Sequence, residues 1–135
     1  MEMNLELVFN ENLKNILFVK RVKEPFKGLF NLVGGKKEPG ESSIDGAYRE
    51  LFEETGITKE NIKLVKLMAF EYPLEDIHMD VYFGRLNKKV TLIEEKNPLS
   101  WHSIEDTDFL GNEFAGDGNI YHMVKEAQYY LDRLM

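Results

Sequence analysis

The stretch GKKEPGESSIDGAYRELFEETGI, residues 35–57, decides how the rest of the chain reads. Its front half, Gly34-Gly35 through Pro39-Gly40, is rich in breakers of regular structure and reads as a loop. Its back half reads as a helix. Ser42 with Asp45 three residues on resembles a capping box. Ile44, Ala47, Tyr48, Leu51 and Thr55 then follow a 3.6-residue period, and Gly56 stands where a stop is expected. Gly46 inside the helix lowers its intrinsic stability slightly. On this helix Glu50, Glu53 and Glu54 fall at i, i+3 and i+4 and share one face. Three carboxylates so placed repel one another by a few tenths of a kcal/mol per pair. A solvated acidic face is the ordinary explanation of such a run. The other is a hard cation, because Mg²⁺ takes oxygen ligands and keeps positions open for water and substrate phosphates. The opposite face, Ile44, Ala47, Tyr48 and Leu51, would anchor the helix to a sheet.

Outward from the helix, strands are expected on both sides. Leu5–Phe9 and Ile16–Lys20 read as two strands joined by a polar stretch from Asn10 to Asn15 that could form a hairpin. Residues 24–28 form a loop and Leu29–Val33 a short apolar strand. Beyond the helix, Ile62–Tyr72 and Met79–Leu86 read as strands around an acidic loop, Pro73–His78. A further short strand is expected between Leu92 and Ile104, ending near Trp101, and a terminal helix over Asn119–Leu134. Strands before and after a central helix, with a second helix at the end, suggest an α/β fold with a mixed β-sheet, an α/β/α sandwich rather than a doubly wound parallel sheet.

Bulk properties narrow the function. At 135 residues the chain is expected to be one domain, 1–135, with a sizeable core. With 17 basic against 24 acidic residues and a net charge of −7, it lacks the surplus that a nucleic-acid polymer binder needs. The absence of cysteine removes disulfides, thiolate metal sites and Cys nucleophiles, and suits a reducing cytoplasm. No apolar run approaches the ~18 residues needed to span a bilayer, and no secretory pattern opens the chain. His78, His102 and His122 form no ligand spacing and read as surface or satisfied residues. Whether the protein is a monomer or a homodimer is not written in the sequence.

Gly35, five residues, Glu41, seven residues, then Arg49-Glu50-Leu51-Phe52-Glu53-Glu54-Thr55-Gly56-Ile57 fills every fixed position of the Nudix box. Seven specified residues at frequencies near ~0.06 put a chance match in a chain this long on the order of 10⁻⁷, so the spacing outweighs the solvated-face explanation. The chain resembles the Nudix (MutT-like) family over nearly its whole length. The resemblance implies an α/β/α sandwich that hydrolyses a nucleoside diphosphate linked to another group. It implies metal ligation by Glu50, Glu53 and Glu54 with the backbone carbonyl of Gly34, and Mg²⁺ as cofactor, with Mn²⁺ as a possible substitute. Arg49 would orient the glutamates, and Glu41 would support the loop–helix geometry or a metal. A further carboxylate from a later loop often joins such sites; Glu95 is the first candidate and Glu94 the second, each equally readable as solvated loop charge. Glu53 or Glu95 would take the proton from a metal-activated water. Lys36 and Arg21 could neutralise phosphate, although surface cations are common.

For the substrate, the residues outside the box resemble the oxidised purine nucleoside triphosphatases of that family. Residues 28–36 resemble their approach to the box, with Asn31 in the purine-contacting position. Phe70 and Met79 repeat the spacing of base-stacking residues, and Phe114 with Asp117 resembles an aromatic followed by an acidic pair. Gly116 replaces the first acid of that pair and Phe114 replaces a Trp. Each element has a plainer explanation: Phe70 and Met79 as core, Asn31 as a turn residue, Asp117 as the cap of the terminal helix. ADP-ribose is the rival substrate, because a Pro sixteen residues beyond the box is a family hint for it and Pro73 lies there; Pro73 also suits a turn. A non-catalytic nucleotide-binding module is the remaining alternative. Such members typically lose a box carboxylate, and all are present here.

Overall fold

Alternation along the first strand sets the layers. In the computed structural model, which describes residues 1–116 and 118–134, the elements in chain order are β1 (Glu2–Phe9), β2 (Asn15–Lys20), β3 (Phe30–Asn31), β4 (Val33–Lys36), α1 (Ser43–Thr55), β5 (Val65–Tyr72), β6 (Ile77–Arg85), β7 (Leu99–Ser103) and α2 (Asn119–Leu134). Successive side chains of a strand point to opposite faces. Leu5, Leu7 and Phe9 of β1 accordingly join one apolar cluster with Ile120, Met123, Val124, Ala127 and Leu131 of α2. Val8 joins the other, with Ala47 and Leu51 of α1. Each fully buried side chain of this size contributes about 1.5–3 kcal/mol. A helix therefore covers each face of the sheet, as the order of elements led us to expect.

The sheet runs β3-β2-β1-β6-β5, with β4 also paired to β1 and β7 to β2. β1 and β6 are parallel from Glu2↔His78 to Phe9↔Arg85; the other strand pairings are antiparallel. The hairpin expected between β1 and β2 is only one pair deep, Phe9↔Ile16. Beyond it the strands part: β1 continues onto β4, and β2 onto β7.

Two boundaries correct the sequence reading around the box. Gly34–Lys36, expected as loop, is strand β4, paired with Met3–Leu5. The expected strand Leu29–Val33 divides into β3 on β2 and β4 on β1. Glycine signals a break only in isolation. Here a Cβ at Gly34 would run into the backbone carbonyl of Asn4, so its absence lets two strands close up. The strand expected from Ile62 begins at Val65, although Ile62 keeps a single bridge to Leu86.

Helix α1 is held at both ends. The Ser42 hydroxyl accepts from the Asp45 N–H at 3.2 Å, and Gly56 closes the helix in the left-handed region at φ 78°. The Ser43 hydroxyl donates to Asp80 at 2.6 Å and accepts from the Tyr82 hydroxyl at 2.7 Å. Buried Asp80 also meets Lys66 at 3.1 Å and His78 Nε2 at 2.8 Å, while the other ring nitrogen of His78 faces Glu71. Burial pushes the Asp80 carboxyl up, but its hydrogen bonds from Ser43, Lys66 and His78 outweigh that and hold it below its ordinary value. The Tyr48 hydroxyl accepts from the Leu64 N–H at 2.9 Å. Among the described residues no helix is long and apolar enough to cross a membrane.

Candidate active site

The polar face of α1 is organised around Arg49. Its guanidinium donates to Glu41 through Nε (3.0 Å) and an Nη (2.8 Å), to Glu50 at 3.0 Å, to Glu53 at 3.0 Å and to the Lys36 carbonyl at 2.9 Å. Glu38 lies 3.6 Å away. Only a planar five-donor fork satisfies so many acceptors at once. Its hydrogen bonds, with one from the Glu38 N–H, bring the Glu41 carboxyl down to about 2. Two glycines make room for this network. A Cβ at Gly35 would lie 2.5 Å from the Glu50 carboxyl carbon, and one at Gly46 would lie 2.9 Å from Glu41 Oε1. Gly46 thus costs the helix propensity but clears the space for the Glu41–Arg49 pair.

One guanidinium does not balance this many carboxylates. Burial raises the Glu50 carboxyl above its ordinary value despite Arg49. Burial, then the charge of Glu50, lifts Glu54 to about 7, although it accepts a backbone hydrogen bond from Gly34. Beneath them, on β1, Glu6 is wholly buried; burial and then the charges of Glu54 and Glu50 push its carboxyl well up. Sequence reading passed over Glu6, which sits inside an apolar strand. Its one signal was a carboxylate at a position whose neighbour two residues on, Val8, is core.

The donor set is all oxygen, carries surplus negative charge and is partly withdrawn from water, which fits a hard divalent cation. Among the described residues no three acidic or imidazole side chains already converge at coordination distance; Glu50 and Glu53 are both drawn to Arg49.

The loop between β6 and β7 reaches this centre. The Ile93 N–H donates to the Thr55 carbonyl at the end of α1, 2.9 Å away, and Asn97 accepts from the Val22 N–H at 3.2 Å. Glu95 is exposed there, with no hydrogen bond or ion pair among the described residues. Glu94 is engaged elsewhere, accepting from the Leu99 N–H at 2.7 Å. The group of this loop whose charge acts on Glu50 and Glu54 is Lys96, which sequence reading missed. Arg21 also acts on Glu54, while its Nε donates to the Pro25 carbonyl at 3.3 Å. The Lys36 side chain is exposed.

The expected substrate contacts lie elsewhere in the sheet. Phe70 and Met79 are cross-strand partners on β5 and β6, partly buried against the α2-side cluster. Asn31 sits on β3, three residues before Gly34, and its side-chain oxygen accepts from the Leu32 N–H at 2.8 Å. Phe114 is 7% exposed and packs with Phe18 (ring centroids 5.1 Å apart), Phe109 (5.4 Å) and Phe30 (5.8 Å). It is a core residue, because an aromatic ring in a dry cluster gains more than one at an edge. Asp117 lies outside the described residues. Pro73 occupies the turn between β5 and β6, which accounts for it without a ligand.

A family model described as NUDIX domain matches residues 6–124. The chain is 37% identical over 100 residues to a Bacillus subtilis protein named putative 8-oxo-dGTP diphosphatase, covering 72% of this chain and 62% of that one. It is 33% identical over 85 residues to a Mus musculus oxidized purine nucleoside triphosphate hydrolase, covering 61% of this chain and 54% of that one. The matches thus span roughly six-tenths of these relatives' lengths or less. A C. elegans Ap4A hydrolase structure aligns with TM-score 0.76 at 17% identity over 97% of both chains, a likeness of fold. The chain belongs to the NUDIX domain family.

Proposed function

We propose that this chain hydrolyses a pyrophosphate bond in a purine nucleoside triphosphate, with an oxidised purine as its preferred base, releasing a monophosphate and pyrophosphate. The observation that carries the hydrolytic part is the unbalanced carboxylate face of α1, where Glu54 is held at about 7 and Glu50 is raised beside a single shared guanidinium. Glu50, Glu53 and Glu54, with the Gly34 carbonyl, would hold Mg²⁺ or, in its place, Mn²⁺. A bound divalent ion supplies charge neutralisation at the phosphates and a lowered pKa for water. Arg49 fixes Glu50 and Glu53 by charge-assisted hydrogen bonds, and Glu41 fixes Arg49 in turn. Glu53, the most exposed of the three carboxylates on this face of α1, takes the water's proton, with Glu95 as the second candidate. The water oxygen bonds to phosphorus as the bridging P–O bond opposite breaks. Arg21, Lys36 and Lys96 offset the phosphate charge.

Three things support a purine triphosphate. Phe70 and Met79 lie side by side and offer flat, polarisable surface to a base. Asn31, a few residues before the box, carries an amide suited to a polar base edge. The B. subtilis and mouse relatives bear names that specify oxidised purine nucleotides. Phe114, being core, would act by shaping the floor behind Phe30, and Asp117 is proposed as the reader of the base edge. A phosphate-release comparison of 8-oxo-dGTP, dGTP, ADP-ribose and dinucleoside polyphosphates with Mg²⁺ tests the assignment. The highest kcat/KM is expected for 8-oxo-dGTP. A preference for ADP-ribose would replace the substrate and leave the chemistry standing. Binding of nucleotide with no turnover of any of them would make the chain a binding module.

A further inference from the structure

Glu6 is a poor choice for the fold alone. Asn4, Glu6 and Val8 share one face of β1, the face on which Val8 joins the core beneath α1. Glu6, two residues before Val8, is 0% exposed, and neither carboxylate oxygen has a hydrogen-bond partner among the described residues. Asn4, next along the same face, is 1% exposed, and its Oδ1 and Nδ2 are unpartnered as well. In register Glu6 stands opposite Val33 on β4 and Tyr82 on β6, and Asn4 opposite Gly35 on β4. Gly35 is the residue over which Glu50 folds its carboxyl. The charges that act on Glu6 are those of Glu54 and Glu50, with Arg49 opposing them more weakly. Withdrawing a carboxylate from water without a partner is costly, and two like charges beside it add to that cost. A valine or leucine would pack there without it. What the position lacks is a cation.

We propose that Glu6 is an inner carboxylate of the metal centre, adding charge from the strand beneath α1 to a divalent ion held by Glu50, Glu53, Glu54 and the Gly34 carbonyl. The inference rests on the metal-dependent reading given above. It places part of the metal's affinity on β1, outside the box, and gives Asn4 a role as a partner for the ion's water or for Glu6 itself. It also separates two states of the protein. Without the ion, Glu6 destabilises the fold; with it, the same carboxylate is a reason for the ion to stay.

Mn²⁺ binding to the nucleotide-free protein, followed by electron paramagnetic resonance and by calorimetry, tests this in wild type, Glu6→Gln and Glu6→Val. Melting curves with and without Mg²⁺ accompany it. We expect both variants to bind Mn²⁺ on the order of tenfold more weakly. We also expect them to melt higher than wild type when ion-free, and to gain less from added Mg²⁺. The amide keeps the shape of the carboxylate, and the valine removes every polar atom, so the two variants cover each other against misfolding. Variants that bind Mn²⁺ as tightly as wild type overturn the role of Glu6 while leaving the box as the metal site. A wild-type protein that binds no divalent ion overturns both.

Discussion

On the α2 side of β1, Leu5, Leu7 and Phe9 meet Phe18, Phe83 and the apolar stripe of α2 in a dry cluster. On its α1 side, Asn4 and Glu6 bring four unpartnered polar atoms under a helix that already carries Glu50 and Glu54. One strand of eight residues thus serves two purposes on its two faces. The first face lowers the free energy of the folded chain through burial. The second raises it, and the cost is recovered only when a ligand of opposite charge arrives. Substitutions on the two faces should therefore separate stability from activity.

The largest effect is expected on the α1 side. Glu50→Gln should lower kcat by about 10²–10⁴, the range for groups that act directly in the chemistry, while the melting temperature of the ion-free protein holds or rises. A large loss of stability in that variant would break the contrast. Phe18→Ala, on the other face, should cost about 3–5 kcal/mol in urea denaturation and leave Mn²⁺ affinity unchanged under folding conditions. Arg49→Lys comes next. An ammonium cannot reach Glu41, Glu50, Glu53 and the Lys36 carbonyl together, and kcat/KM should fall about 10–100-fold with little change in fold.

A pH dependence of stability is expected as well. Glu54 has a folded pKa of about 7 against an ordinary 4.5, so the folded chain keeps a proton that the unfolded chain releases between those values. The contribution of Glu54 to the stability of the ion-free protein therefore falls as pH rises from about 4.5 to 7. Glu54→Gln should flatten that part of the slope, and saturating Mg²⁺ should flatten it in wild type. A steeper slope in the variant would show that other groups carry it.

The same contrast governs what was legible in sequence. The helix from Ser42 to Gly56, with its cap, period and stop, is fixed by local chemistry and reads directly. So do α2 and the cores of β1, β2 and β6, where apolar runs mark the buried face. Pairing is not local, and that is where expectations failed. Gly34 and Gly35 look like loop until Met3–Leu5 is laid beside them, and nothing in the sequence announces that Phe114 packs against Phe18 and Phe109. Glu6 and Lys96 went unread for the same reason. A glutamate in a strand and a lysine in a loop are unremarkable until tertiary structure sets both near Glu54.

Whether α1 holds a divalent ion for pyrophosphate cleavage is decided by one comparison. Purified wild type and Glu53→Gln are assayed for product release from 8-oxo-dGTP, with Mg²⁺ and then with chelator in excess. Turnover by wild type with Mg²⁺ is expected, with its loss on chelation and a rate at least about 10²-fold lower for Glu53→Gln. Wild-type turnover that survives chelation, or a Glu53→Gln rate equal to wild type, would contradict it.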